Sequence, residues 1–217
     1  MSEDKKNIIN KKQKILCISP HPDDIEFGCG GTVHKLIQKG CDITFFAMSN
    51  CENSLVHNTN KDLMKELNAS CAVLGVKKIK TFDFSVRSLW RNQTEICNLF
   101  YNTNNTLNPD IVFCPASSDI HQDHKIIYEC ASRIFKMKTL LGYELPWNCF
   151  KFEPDLYVVL DEENVQKKTE SISKYKTQKS KIYSSPEYTQ GTLKFRGHQI
   201  GEEYAEAFEV IRMVVKI

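Results

Sequence analysis

Four short strand-like runs before residue 115, each trailed by a longer segment, restrict the fold more than any other feature. Lys14-Ile15-Leu16-Cys17-Ile18-Ser19 reads as a buried strand stopped by Pro20. A polar turn and a helix over about 27–39 follow, the helix closed by Gly40. Residues 42–48 read as a second strand and the polar stretch 49–60 as a loop. Leu63, Leu67, Cys71 and Leu74 fall at i, i+4, i+8 and i+11, one face of a helix ended by Gly75. Strands over 78–82 and 110–114 alternate with helices over 93–101 and 125–135. The second half is less regular, with strands expected at 140–143 and 156–160 and a helix at 165–175. The run 208–215 is assigned to strand by its β-branched content. Strands alternating with helices predict an α/β fold, a mostly parallel sheet with helices on both faces.

Composition narrows the class further. With 217 residues, 41% of them hydrophobic and 26% charged, the chain can bury one sizeable core, and 1–217 is read as one domain. The balance of 29 Lys+Arg against 27 Asp+Glu gives +2, too little for an electrostatic case for nucleic acid. The lysine run Lys167, Lys168, Lys174, Lys176, Lys179 and Lys181 is accordingly read as a solvated face. The polar start, 1–14, lacks the apolar core of a secretory signal. No apolar run approaches the ~20 residues of a spanning helix. The nine cysteines are odd in number, form no Cys-x-x-Cys, and in part sit inside strand-like runs. Reduced thiols in a cytoplasmic protein are expected.

Chemistry is concentrated in two clusters. His21-Pro22-Asp23-Asp24 lies just past the first strand and His121-Gln122-Asp123-His124 just past the fourth. Open α/β sheets bind ligands beyond the carboxyl ends of their strands, where the strand order reverses. If strands one and four are neighbours, both clusters meet there. His21, Asp24 and His124 can supply the three protein ligands of a catalytic zinc, and Asp23 and His121 are left within reach of its water. The same set can hold iron(II) or another divalent metal. The competing reading is turn chemistry, with Asp23 or Asp24 merely capping the next helix. Gly28, Gly30 and Gly31 fail the dinucleotide spacing, because Val33 stands where the third glycine belongs. They are expected to let the helix N-terminus approach the site. His34, within a helix, and His57, in the polar loop, are assigned no ligand role.

The run from His21 to Thr32, together with His121-x-Asp123-His124, resembles the PIG-L/LmbE family of metal-dependent N-deacetylases. Pro109-Asp110-Ile111-Val112-Phe113, Gly142-Tyr143-Glu144-Leu145-Pro146-Trp147-Asn148 and Tyr204-Ala205-Glu206-Ala207-Phe208 resemble a bacterial branch tied to surface polysaccharides and amino sugars. The resemblance implies a Rossmann-like three-layer fold with zinc on His21, Asp24 and His124. It implies Asp23 as general base, His121 polarising the acyl oxygen as an imidazolium, and Asp123 orienting a histidine. The implied reaction removes an N-acetyl group from an amino sugar or its conjugate, leaving acetate and a free amine. Many members carry an arginine shortly before the glutamate at Glu66, where this chain has Met64 and Lys65. Arg87, in Asp83-Phe84-Ser85-Val86-Arg87, is the replacement for an anionic contact. Glu144 and Trp147 are expected along the sugar pocket, Trp147 with core packing as its alternative. Two other functions stand beside this one. One is a deacetylase or amidase acting on another amide, such as a thiol-cofactor precursor. The other is a metal- or sugar-nucleotide-binding protein without turnover. A homo-oligomer is left open.

Overall fold

The computed structural model describes residues 12–51 and 60–215. Strand β1 (Lys14–Ser19) is buried from Ile15 onward on both faces, as an unbroken apolar run at the centre of a parallel sheet requires. Its alternate residues serve two cores. Ile15 and Cys17 pack beneath helices α1 (Asp24–Gln38), α2 (Asn60–Leu74) and α5 (Glu162–Ser173). Leu16 and Ile18 pack beneath α3 (Gln93–Thr106) and α4 (Gln122–Ile134) on the opposite face. Period-2 side chains in one strand thus build a three-layer sandwich.

The other strands are β2 (Asp42–Ala47), β3 (Lys78–Thr81), β4 (Ile111–Pro115), β5 (Thr139–Tyr143), β6 (Leu156–Val159) and β7 (Ala205–Arg212). They form one seven-stranded sheet in the order β3-β2-β1-β4-β5-β7-β6. The five from β3 to β5 are parallel, and β7 runs antiparallel to both of its neighbours. The expected stripe Leu63, Leu67, Cys71 and Leu74 is buried, and all nine cysteines are free thiols. Among the described residues, no helix is long and apolar enough to cross a membrane. Residues 1–11 and 52–59, with His57 and most of the expected loop, lie outside the described residues.

Several boundaries differ from expectation, and the differences matter for the site. Helices α1 and α4 begin at Asp24 and Gln122, three residues earlier than the apolar pattern indicates, so ligand-type side chains sit in first helical turns. Strand β7 begins at Ala205, which places Glu206 inside the sheet. Helix α6 (Pro186–His198), which the apolar pattern does not indicate, packs against β7 and α5. The glycines of α1 also have another purpose. A Cβ on Gly28 would collide with the Tyr143 ring, and one on Gly31 would lie 2.5 Å from Leu160 Cδ1. They let α1 lie close to β5 and to the segment after β6, rather than bringing a helix end to a ligand.

Candidate active site

Strands β1 and β4 are adjacent and parallel, and the chain leaves them toward opposite edges of the sheet. The crevice beyond their carboxyl ends is therefore the switch point, and the two His/Asp clusters meet in it. After β1 the chain turns sharply. Ser19 Oγ donates to the His21 carbonyl, and the His21 N–H donates to Asp24 Oδ2 at 2.8 Å. Asp23 is held at φ 109°, a region that disfavours every residue with a Cβ, and its side chain makes no capping hydrogen bond. The strained turn directs a buried carboxylate to the cavity wall instead of to the helix end.

His21 Nδ1, His124 Nε2 and Asp24 Oδ2 form a triangle with edges of 3.3, 3.5 and 3.5 Å. Two ligand atoms 2.0–2.1 Å from a tetrahedral centre lie about 3.4 Å apart, so the triangle has the size of one face of a zinc-type coordination shell. The remaining ring nitrogens are also engaged. His21 Nε2 lies 3.1 Å from Asp123 Oδ2, and His124 Nδ1 lies 2.7 Å from Asp119 Oδ2. Each imidazole can donate its outer N–H to a carboxylate and turn its lone pair inward, the usual support for a metal-bound histidine. Asp123 further accepts the Arg87 N–H at 2.6 Å and the Leu89 N–H at 3.3 Å, and Asp119 accepts the His121 N–H at 2.9 Å.

Electrostatics make the same demand. Burial opposes a charge on His21, yet the Asp123 and Asp24 carboxylates outweigh it and raise its pKa to about 10. Burial likewise opposes the Asp24 anion, but His124 and His21 bring its pKa down to about 2. Without a metal, a proton supplies the positive charge that the cluster stabilises; a divalent cation at the triangle would take its place. The ligand atoms of His21, His121 and His124 also lie within 4.8 Å of one another, an alternative trio. The tighter fit belongs to the triangle with Asp24. His121 is the N-cap of α4 and accepts the Asp123 N–H through Nδ1 at 3.2 Å, so its neutral ring carries the proton on Nε2. Burial and the nearby His124 and His21 lower its pKa to about 4. Without a metal, this environment favours His121 as a neutral Nε2–H donor, where the resemblance implies an imidazolium. Burial and Asp24 push the Asp23 carboxyl well above the usual carboxylate range.

These groups floor a cavity of about 400 Å³. Arg87 lines one wall with an exposed side chain. Trp147 lines another, stacked on Tyr183 at 3.9 Å and 10° and edge-on to Phe27 at 5.3 Å, so it both packs and faces the cavity. Glu144 is not brought there. It is buried in a bidentate pair with Arg196, at 2.9 Å to Nε and 2.5 Å to Nη2, because α6 carries that arginine to it. The lysine run also needs correction. Lys168 is buried against Glu206 and the Phe27 carbonyl, and Lys181 lines the cavity. His34 behaves as expected, its ring nitrogen bonded to Asn164 Nδ2 at 3.1 Å.

Asp119 escaped the sequence reading, although the spacing Asp119-x-His121-x-x-His124 offers a carboxylate one turn before a ligand-type histidine. Asp119→Asn is expected to keep the fold and weaken metal affinity by about 10–100-fold. Competition against a chromophoric chelator measures this, and an unchanged affinity would make the Asp119–His124 bond incidental.

An α/β sheet with a His-rich candidate metal site at its switch point defines the class. The family model described as PIG-L, GlcNAc-PI de-N-acetylase, matches residues 16–135, which include both clusters, and the chain belongs to this family. It is similar to the uncharacterized deacetylase YaiS of Escherichia coli (strain K12), 28% identical over 174 residues that cover 77% of this chain and 93% of that protein. A shorter match, 36% identical over 81 residues, links 35% of this chain to 30% of the diacetylchitobiose deacetylase of Thermococcus kodakarensis. The fold is shared with the conserved protein TT1542 of Thermus thermophilus, with a TM-score of 0.80 and 21% identity over 94% of this chain and 97% of that one.

Proposed function

We propose that this protein is a metal-dependent N-deacetylase that hydrolyses the N-acetyl group of an amino sugar or its conjugate, releasing acetate and a free amine. The observation that carries the reading is the division of labour at the switch point. Three ligand atoms fit one cation, while Asp23 and His121 stay outside that triangle and line the same cavity. The names of the family model and of the diacetylchitobiose relative support an N-acetylated sugar as substrate. The cavity volume and its Trp147–Tyr183 wall suit a sugar ring.

His21, Asp24 and His124 would hold the cation, zinc first, which supplies Lewis acidity and lowers the pKa of a bound water toward ~7. Asp23, as general base, takes a proton from water as the water oxygen joins the acyl carbon. A cation held beside Asp23 would favour its ionised form, the form that can accept the proton. The acyl oxygen gains charge and receives the Nε2–H of His121. As the C–N bond breaks, the amine needs a proton. Asp23 has just acquired one, whereas neutral His121 could give its proton only by becoming an anion, so Asp23 returns it. Asp123 and Asp119 hold the two ligand imidazoles in their tautomers.

The test is a panel of N-acetylated sugars, sugar phosphates and glycosides incubated with metal-loaded protein and scored by mass. Loss of one acetyl group from at least one member, matched by acetate, is the expected result. No loss from any member would move the site to a different amide or to binding without turnover.

A further inference from the structure

Beyond the His/Asp floor, two described side chains with a permanent charge line the cavity, Arg87 and Lys181, and both are cations. Among the described residues, neither lies within ion-pair distance of an acid. Both are exposed, so neither is spent on core packing. Both are nonetheless placed by fixed structure. Arg87 stands in the left-handed region at φ 62°, its N–H held by Asp123, the carboxylate that also bonds His21. Lys181 lies between two anchors in the connection from α5 to α6. On one side, Glu66 of α2 accepts the Thr177 N–H at 3.2 Å and the Thr177 hydroxyl at 2.6 Å. On the other, Tyr183 stacks on Trp147. The Lys181 ammonium sits 5.3 Å from the Tyr183 ring centre. Partial desolvation at the cavity wall disfavours that charge, but the Tyr183 hydroxyl and Asp23 outweigh it and raise the pKa of Lys181.

Resting on the deacetylase reading for the sugar, we propose that Arg87 and Lys181 bind a phosphate carried by the substrate, on the side of the amino sugar away from its acetamido group. A guanidinium takes two oxygens in parallel and an ammonium takes one as a point charge. A carboxylate carries one negative charge, which Arg87 alone can balance, whereas a phosphate monoester carries about −1.5 to −2 near neutral pH and matches two cations. A phosphate monoester has three terminal oxygens and can engage both residues. Of the two carboxylates lining the floor, Asp24 is already engaged by His21 and His124, which leaves Arg87 and Lys181 as the cations of the cavity wall.

The experiment uses metal-loaded wild type, Arg87→Gln, Lys181→Gln and the double variant. Calorimetry measures binding of glucosamine 1-phosphate and of methyl glucosaminide, which carries no anion, and initial rates are taken on the corresponding N-acetyl compounds, one phosphorylated and one neutral. Each single variant is expected to weaken the phosphate compound about tenfold in Kd and KM, and the double variant more. The compounds without phosphate and kcat should stay within about twofold. Phosphate binding that depends on the two residues, without turnover of any N-acetyl compound, would support the subsite and remove the deacetylase reading. Equal losses on compounds with and without phosphate, or wild-type phosphate affinity in the double variant, would overturn the subsite. A carboxylate analogue, N-acetylmuramic acid, depending on both residues as strongly as the phosphate would overturn its assignment to phosphate.

Discussion

Asp23→Asn is expected to lower kcat by about 10²–10⁴-fold while metal content and thermal unfolding stay near wild type. The size of the effect follows from the role. The amide has the shape of the carboxylate but cannot accept a proton from water or return one to the amine. The structural side effects should be small for two reasons. Asp23 occupies the N-cap position of α1 without a capping hydrogen bond, so no helix-end bond is lost. Its φ of 109° disfavours most side chains, and asparagine is among those that best tolerate positive φ. Removing a buried carboxylate beside Asp24 also relieves a like-charge contact. Measured kcat, metal content and melting temperature together decide the matter. A near-normal kcat would make Asp23 a structural residue of the turn.

His124→Ala is expected to bring metal content from one per chain toward zero and to remove activity with it. His124 is 1% exposed, and its two nitrogens face the cation position and Asp119. Alanine removes a ligand and also leaves the buried Asp119 with less compensation, a loss that can cost about 3–5 kcal/mol of stability when a buried pair is broken. Lost activity alone could then reflect a lost fold. His124→Asn separates the two, because its amide can still bond Asp119 while presenting a poor metal ligand. Circular dichroism near wild type with metal content near zero is the expected pair of results for this variant. Stoichiometric metal in a folded His124→Asn protein would take His124 out of the ligand set.

The central sheet was legible because its signal is strong. β1 and β4 are unbroken apolar runs, and their burial on both faces leaves no other place for them. The two His/Asp clusters were legible because each follows such a strand, and adjacency of β1 and β4 then brings together residues a hundred positions apart. What the sequence hid depends on tertiary partners. The start of α1 is masked by Pro22 and by an Asp23 that adopts the N-cap position without capping. Helix α6 has a poor apolar stripe interrupted by Gly191 and Gly197, although Ser185 and Pro186 are good starting signals. Missing α6 meant missing Arg196, and Glu144 was therefore read as a substrate contact rather than half of a buried pair. Lysines are solvated by default, yet Lys168 is buried by Glu206, a residue that the expected start of β7 left outside the sheet.

The most direct measurement is acetate release from a reacting N-acetylated sugar as metal-stripped protein is titrated with zinc. Activity should be absent after chelation and should rise linearly to a plateau at one equivalent per chain, with the Asp23→Asn protein binding the same equivalent and releasing no acetate above background. Full acetate release from the stripped protein would contradict the account, because the His21, Asp24 and His124 triangle would then have no part in the chemistry.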